Sequence, residues 1–453
     1  MKDTLIRIAE AIARSGGRAY LVGGCVRDGL MGRPQKDYDI EVHGIGPDEL
    51  RQVLVPFGTP MTYGSSFGII SLPGQDIDIA LPRKEKANSA GGHRGFDIDI
   101  DPHIGTKEAA RRRDFTVNAL MQDILTGEIL DHFGGLSDLQ NGILRHVDPD
   151  SFPEDPLRVF RAAQFASRLS FSVAPETVEL CRRIDTSSLS AERVEAELKK
   201  ALIDSACPSV FFTVLQQMDQ LVPWFAEIDS MQSVEQDPLF HPEGNVFIHS
   251  MQVLDRASLF RERVSDPYAF MLSALTHDIG KIVSTEVING RIHAYGHEVL
   301  GLPLLNQFLD RLVSKNAVRE YVLNMVPLHM KPNVAAFNKV SVKSTNHMFD
   351  EAAEPEDLIY LALSDRPVIA GDTPFSGDSA FLMDRLEKYR ETMKRPFVTG
   401  KDLLDAGLEP GKEFSELLAF SHKLRLAGID RDSSLKQTLA YARKLQKNNG
   451  KQL

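Results

Sequence analysis

The chain has 453 residues, 42% of them hydrophobic and 25% charged, with a formal net charge of −11. This length exceeds what a single core supports, and the ordinary composition excludes a fibre or a disordered chain. The acidic balance excludes a protein that coats nucleic acid by bulk charge, and no apolar run is long enough to cross a bilayer.

Residues 1 to about 147 read as mixed α and β. An amphipathic helix over about 2–14 leads to the strand RAYLV, then to Gly23-Gly24 and a new helix opened by Val26-Arg27-Asp28. Such glycines let the backbone approach a phosphate, and Arg27 adds a fixed cation. DYDIEV (37–42) reads as a strand, so Asp37, Asp39 and Glu41 share one face, with neighbours roughly 6.6 Å apart. At an effective dielectric near 20, two such charges repel by about 2.5 kcal/mol. Water, a nearby cation or a bound metal must offset that. A solvent-facing edge strand is the ordinary explanation, and Glu41 keeps it. The glycine turn upstream and the acidic strand QDIDIAL downstream, where Asp76 and Asp78 share a face, favour a metal for the others.

FGIISL and a pair around the turn ILTGEIL complete the predicted strands. The polar, glycine-rich stretch 83–108 reads as a mobile loop. From about 150 onward helical periodicity takes over. Breaks near 148, 235 and 371 divide the chain into 1–147, 148–235, 236–370 and 371–453. In SFPEDPLRVFRAAQF, Pro156 suits a first helical position, which makes Asp155 the cap. Arg158, Arg161 and Phe165 then lie on one stripe. A capped helix with a salt-bridged face is one reading. Hydrogen-bond complementarity gives another: a carboxylate only accepts and a guanidinium only donates, so an Asp-Arg pair fits the Watson–Crick edges of C and A and leaves unpaired groups against U and G.

Further along, VFIHSMQVLDRA, ALTHDIGK and HAYGHEVLG place His249, His277-Asp278 and His297 in a helical region. His249 and His277-Asp278 offer two imidazoles and a carboxylate, a set that suits a hard, partly hydrated metal that activates water. From His422 onward eight Lys/Arg stand against two Asp, a run that is either a solvated end or a phosphate-binding one. Three scattered cysteines fit neither a disulfide framework nor a zinc site, and a cytoplasmic protein is expected.

LVGGCVRD, DYDIEV, RRRDFTVNAL (111–120) and EDPLRVFRAAQFASRL (154–169), in this order, resemble the nucleotidyltransferase superfamily that includes DNA polymerase β. They are closest to its bacterial branch of CCA-adding enzymes and poly(A) polymerases. The resemblance implies an α+β fold, with a polymerase β-like α/β head followed by a long all-α body. It implies that Gly24 and Arg27 hold the triphosphate and that Asp37 and Asp39 bind catalytic Mg²⁺, with Asp78 as third carboxylate. Arg113 would contact the nucleotide, Asp114 would organise the site, and Asp155 with Arg158 would select the base, Arg161 nearby. Two metals would then assist attack of an RNA 3′-hydroxyl on the α-phosphate. Gln164 departs from the family pattern, which often has arginine there. The stretch 83–108 stands where the family has a loop linked to the switch from C to A addition, and SAERVEAELKKAL (190–202) resembles a bracing helix.

The second set resembles the HD phosphohydrolase superfamily. This implies His249, His277, Asp278 and Asp365 as ligands of a divalent metal of unspecified identity, assisted by His297 and His329. Phosphatase, 2′-nucleotidase and 2′,3′-cyclic phosphodiesterase activities are expected of such a domain. VTGKDLLDAGLEPGKEFSELL (398–418) resembles the tail of CCA-adding enzymes. The partners so implied are tRNA, CTP and ATP, with no membrane and no protein partner evident. A poly(A) polymerase, a partial CC- or A-adding enzyme, and an HD phosphohydrolase with a merely nucleotide-binding head stay open.

Overall fold

The computed structural model describes residues 2–34, 37–58, 61–63, 69–72, 76–87, 96–366, 377–395 and 397–449. They form two compact units, Met1–Phe225 and Ala226–Leu453.

The first unit opens with a helix, Lys2–Arg14, whose Leu5, Ile8, Ala9 and Ile12 recur at helical spacing and are buried. They pack against β-structure whose strands are β1 (Arg18–Val22), β2 (Tyr38–His43), β3 (Met61–Tyr63), β4 (Ile69–Ser71), β5 (Ile77–Ala80), β6 (Arg83–Ala87), β7 (Phe96–Ile100), β8 (Met121–Asp123) and β9 (Ile129–Leu130). Seven of these form one sheet in the order β3-β4-β5-β2-β1-β8-β9, while β6 and β7 pair separately. Within the large sheet only β2 and β5 run parallel, and the other pairs are antiparallel.

Alternation explains the chemistry of β2 and β5. Ile40, Val42, Ile77 and Ile79 point into the core beneath the first helix, each 1% exposed or less. Burying such a side chain contributes about 1.5–3 kcal/mol. A one-residue slip would turn all four outward, so the register is fixed. The same alternation forces Asp39, Glu41 and Asp78 to the opposite face.

The expected loop at 83–108 is partly structured. Its flanks form the β6–β7 ladder, from Arg83 opposite Ile100 to Ala87 opposite Phe96. Residues 88–95, which carry most of its glycine and serine, lie outside the described set.

The helix expected from Pro156 spans Leu157–Leu169, one residue later, with Pro156 as its cap. The Asp155 carboxylate accepts from the Leu157 amide at 3.2 Å, so it closes the turn that enters the helix. Its inner face packs on the helices Ala191–Asp204 and Ser209–Gln217.

The second unit is mostly helical. Asn245 caps Val246–Ala257 by accepting from the Ile248 amide, and Asp266 caps Pro267–Thr276 by accepting from Tyr268 and Ala269. The expected all-α body is interrupted twice: Ser172–Val173 of the first unit pairs in parallel with Ile143–Leu144, and in the second Glu286–Ile288 and Arg291–His293 form an antiparallel hairpin. Asn289 and Gly290 make the turn with φ of 51° and 76°. Asn-Gly between short apolar runs is a strong hairpin signal, and here it prevails over the helical surroundings. The tail ends in the helices Glu413–Leu426 and Arg431–Asn449, which close over Val398, Leu403, Leu417 and Ala442.

Candidate functional sites

In the first unit a cavity of about 510 Å³ opens above the polar face of the sheet. Its lining includes Gly23, Gly24, Arg27, Asp39, Arg113, Asp114, Asp155, Arg158 and Arg161. Segments up to 170 residues apart in sequence thus meet at one place. Asp37 and Asp78 are not part of that lining but flank it. Asp78 is the direct register partner of Asp39 across β2 and β5, and Asp37 immediately precedes β2. Strands in a sheet lie about 4.8 Å apart, so the two carboxylates crowd each other. Partial burial, with Asp78 and Asp37 adding to it and Arg113 opposing, raises the Asp39 carboxyl above its ordinary range. Asp37, Asp39 and Asp78 offer hard oxygen donors of the kind a divalent cation takes. Ser71 donates a hydrogen bond to Asp78 from the adjacent strand.

Glu41, on the same face, is answered from within the protein. Despite its burial, His43 at 2.9 Å and Arg113 at 3.2 Å hold its pKa below the ordinary value. The expected solvent-facing edge strand is not what forms: β2 is a central strand, and Glu41 is a buried carboxylate paired with His43 and Arg113.

Gly23 adopts φ of 71°, and a Cβ there would sit 3.1 Å from the Arg113 guanidinium. The turn therefore needs glycine both for its backbone and for the cation lying against it. Arg27 is 2% exposed. Asp28 and Asn118 fix its guanidinium, which lies 5.1 Å over the Phe165 ring. Asp114 is also buried. Burial would raise its pKa, but Arg161, Asn118 and the Phe115 amide hold it below the usual carboxylate range. Arg161 reaches it at 2.6 Å.

Asp155 and Arg158 are each engaged. Asp155 accepts from Arg193 at 3.0 Å and 3.1 Å, and Arg158 donates to the carbonyls of Ser151 at 2.8 Å and Arg112 at 2.6 Å. Arg193, Arg168 and Asn118 line the cavity and are additional to the sequence-derived set. Arg168 continues the stripe of Arg161 and Phe165 and Asn118 follows Asp114 by four, so both had a local signal. Arg193 had none, because only packing of the bracing helix against Leu157–Leu169 brings it in. Six arginines against three aspartates in the lining make the cavity a receptor for a polyanion.

The second unit gathers a different cluster. His249, His277 and Asp365 bring ligand atoms within 4.8 Å of one another, and Asp278, His297 and His329 do the same. Four histidines share one arrangement. Nδ1 of His277, His297 and His329 meets a backbone carbonyl three residues earlier, at 2.9, 2.9 and 2.6 Å. A carbonyl only accepts, so Nδ1 carries a proton and Nε2 is the nitrogen turned toward the cluster. For His249 the acceptor is Glu243, at 2.7 Å. His249 Nε2 then faces Asp365 Oδ1 at 2.9 Å, an opposition that needs a proton or a metal ion between the atoms. His277 Nε2 is buried and makes no hydrogen bond. These donors fit a divalent ion.

The electrostatics agree. Burial disfavours charge on His277, yet Asp278 and Asp365 pull its pKa up to about 10. Burial and the neighbouring His277 push His329 down to about 4. Lys281 pairs with Asp278 at 2.8 Å and donates to Gln236 at 2.7 Å. In the Ile-Gly-Lys that follows His-Asp, a Cβ on Gly280 would lie 1.8 Å from the His297 carbonyl, so glycine alone permits that crossing. Glu243 and its second partner His241, 3.0 Å away, are additions to the sequence-derived set. HPEGN was legible only as a break.

Comparisons with known proteins match a domain around each cluster. Residues 19–145 match the Poly A polymerase head domain and residues 246–366 the HD domain. Both classes of domain are generally metal-dependent. The Multifunctional CCA protein of Xanthomonas campestris pv. campestris (strain B100) is 34% identical over 431 residues, covering 93% of this chain and all of that protein. That of Pasteurella multocida is 39% identical over 312 residues, 67% of this chain and 72% of the relative. Among solved structures, the Thermotoga maritima CCA-adding enzyme complexed with tRNA_CCA aligns with a TM-score of 0.65 at 20% identity, over 97% of this chain and 95% of that one. The Bacillus stearothermophilus CCA-adding enzyme in complex with CTP aligns with 0.66 at 20%, over 98% of each. These two share the fold. No helix among the described residues is long and apolar enough to cross a membrane. With a full-length relative at this identity and both domains in order, the chain belongs to the multifunctional CCA protein family of tRNA nucleotidyltransferases.

Proposed function

We propose that this protein builds or repairs the 3′-terminal CCA of tRNA from CTP and ATP without a template, releasing pyrophosphate. The observation that supports it most is that Asp39 meets six arginines in one cavity, with its register partner Asp78 on the next strand. Magnesium held by Asp37, Asp39 and Asp78 would supply the charge that polarises the α-phosphate and lowers the pKa of the RNA 3′-hydroxyl. Asp78, exposed at the edge of the cluster, accepts the hydroxyl proton. Arg27 and Arg113, beside the Gly23-Gly24 turn, bind the triphosphate and offset the charge of the departing pyrophosphate. Asp114 holds Arg161 in place. Asp155 and Arg158 read the exocyclic amine and ring nitrogen of C and A, with Arg193 orienting Asp155.

The second unit adds metal-dependent phosphohydrolysis of phosphate-bearing RNA ends or nucleotides. His249, His277, Asp278 and Asp365 hold a divalent ion that would supply activated water, and His297 and His329 complete the cluster. In this reading residues 1–147 are the catalytic head, 148–235 the base-reading neck, 236–370 the phosphohydrolase and 371–453 a tail for phosphates of the tRNA acceptor arm. A tRNA substrate and three free cysteines fit the cytoplasm.

Incubation with tRNA lacking CCA, tRNA ending in CC and an unstructured RNA, each with labelled nucleotides, tests the reading. Two Cs and one A, then arrest, are expected. Long A tails on any RNA would point to a poly(A) polymerase, and incorporation of C alone or A alone to a partial enzyme.

A further inference from the structure

Of the six arginines that line the cavity of the first unit, five are engaged by the protein. Arg27 donates to Asp28 and Asn118, Arg113 to Glu41, Arg158 to two backbone carbonyls, Arg161 to Asp114 and Arg193 to Asp155. Arg168 is the exception. Among the described residues its guanidinium makes no hydrogen bond and no ion pair, and it lies 5.1 Å over the Phe165 ring. It shares that ring with Arg27 at 5.1 Å and Arg161 at 5.0 Å, so one buried aromatic side chain gathers three cations.

This crowding calls for a counter-charge. Burial and the neighbouring Arg27 lower the Arg168 pKa, Arg33 adds to the repulsion, and Asp28 and Asp204 oppose it only in part. A guanidinium stays protonated in proteins, so the charge cannot be shed. The ring face answers some of it but offers no hydrogen-bond acceptor. A phosphate supplies both, because its oxygens match the planar fork of a guanidinium.

Position decides which phosphate. Arg158, Arg161, Phe165 and Arg168 follow one stripe of the helix Leu157–Leu169. From Arg158 to Arg168 that helix rises about 15 Å, the reach of an extended nucleoside triphosphate. With the base read at Asp155 and Arg158 and the α-phosphate needed at Asp39, the phosphates beyond it run toward the Gly23-Gly24 turn and the ring that Arg27 and Arg168 share.

We infer that Arg168 is a further phosphate-binding residue, which with Arg27 grips the terminal phosphates of the incoming nucleotide and then the pyrophosphate. This rests on the nucleotide-transfer reading above.

The test titrates full-length protein with CTP and with CMP in the presence of Mg²⁺ and without RNA, so that no turnover occurs, and follows heat release. The wild type should bind CTP more tightly than CMP. Arg168→Gln should raise the Kd of CTP roughly tenfold or more, leave that of CMP and the melting temperature unchanged, and lose less in Arg168→Lys, which keeps the charge without the fork. The KM for tRNA lacking CCA should stay the same. An unchanged Kd for CTP, an equal loss for CTP and CMP, or a rise in the KM for tRNA alone would overturn the role of Arg168 and leave nucleotide transfer standing. A wild type that binds neither nucleotide would overturn both.

Discussion

Asp39 and Asp78 stand opposite each other across the parallel strands β2 and β5, and the isoleucines beside them lock that register into the core. Because neither carboxylate belongs to the apolar core, their role is separable from folding. Asp78→Asn keeps the shape and removes one charge. Nucleotide incorporation should fall by about 10²–10³-fold or more, with thermal stability unchanged. Steady-state incorporation and a melting curve check this together, and wild-type turnover would remove Asp78 from the chemistry.

Arg158 is tied to the carbonyls of Ser151 and Arg112 at the mouth of the same cavity. If it donates to the ring nitrogen of C and A, Arg158→Ala should weaken discrimination against UTP by about 1–3 kcal/mol, or roughly 5- to 150-fold. Competition between CTP and UTP for tRNA lacking CCA measures the ratio. An unchanged ratio would reject the hydrogen-bond account.

The Asp114–Arg161 pair makes a stability prediction with a definite sign. A carboxyl whose folded pKa is depressed stabilises the fold above its unfolded value, near about 3.9, and loses that contribution as pH falls through the folded value. Acid unfolding of the first unit should therefore set in below about pH 4. Asp114→Asn should reduce stability at neutral pH, where breaking a buried pair costs about 3–5 kcal/mol, and flatten the acid limb. Trp224, the single tryptophan, is buried in this unit and reports the transition. Identical acid limbs would mean that the pair carries no such linkage.

Glu243 acts through His249. Its carboxylate fixes the ring so that Nε2 faces the cluster, the arrangement that backbone carbonyls impose on the other three histidines. Glu243→Ala should weaken metal binding at the second site by about 10–100-fold, read by titrating the chelator-stripped protein with Mn²⁺ and following phosphohydrolysis. CCA addition should stay at the wild-type level. Unaltered metal affinity would make Glu243 a packing residue.

The sequence showed the chemistry of β2 because alternation is local: Asp39 and Glu41 had to share a face once Ile40 and Val42 were buried. It could not show that Arg113 and His43 would satisfy Glu41 while Asp39 would pair with Asp78, since strand order decides that. The first helix was legible to its ends from its apolar spacing. The 286–293 hairpin carried its Asn-Gly signal in plain view, but two three-residue strands are easily lost in a helical stretch. The ribbon flanking 88–95 was hidden by its polar, charged residues. Arg193 and Glu243 had no signal of their own. Each matters through one partner, Asp155 or His249, that only tertiary packing and a turn supply.

The claim on which the account turns is that the acidic pair of the head, and not the histidine cluster, performs nucleotide transfer. Asp39→Ala and Asp278→Ala, each assayed for CMP and AMP incorporation into tRNA lacking CCA and for release of phosphate from adenosine 2′-monophosphate, test it directly. The account predicts reciprocal losses: Asp39→Ala abolishes incorporation and still releases phosphate, and Asp278→Ala does the reverse. Incorporation surviving in Asp39→Ala, or both activities lost together in either variant, would contradict it.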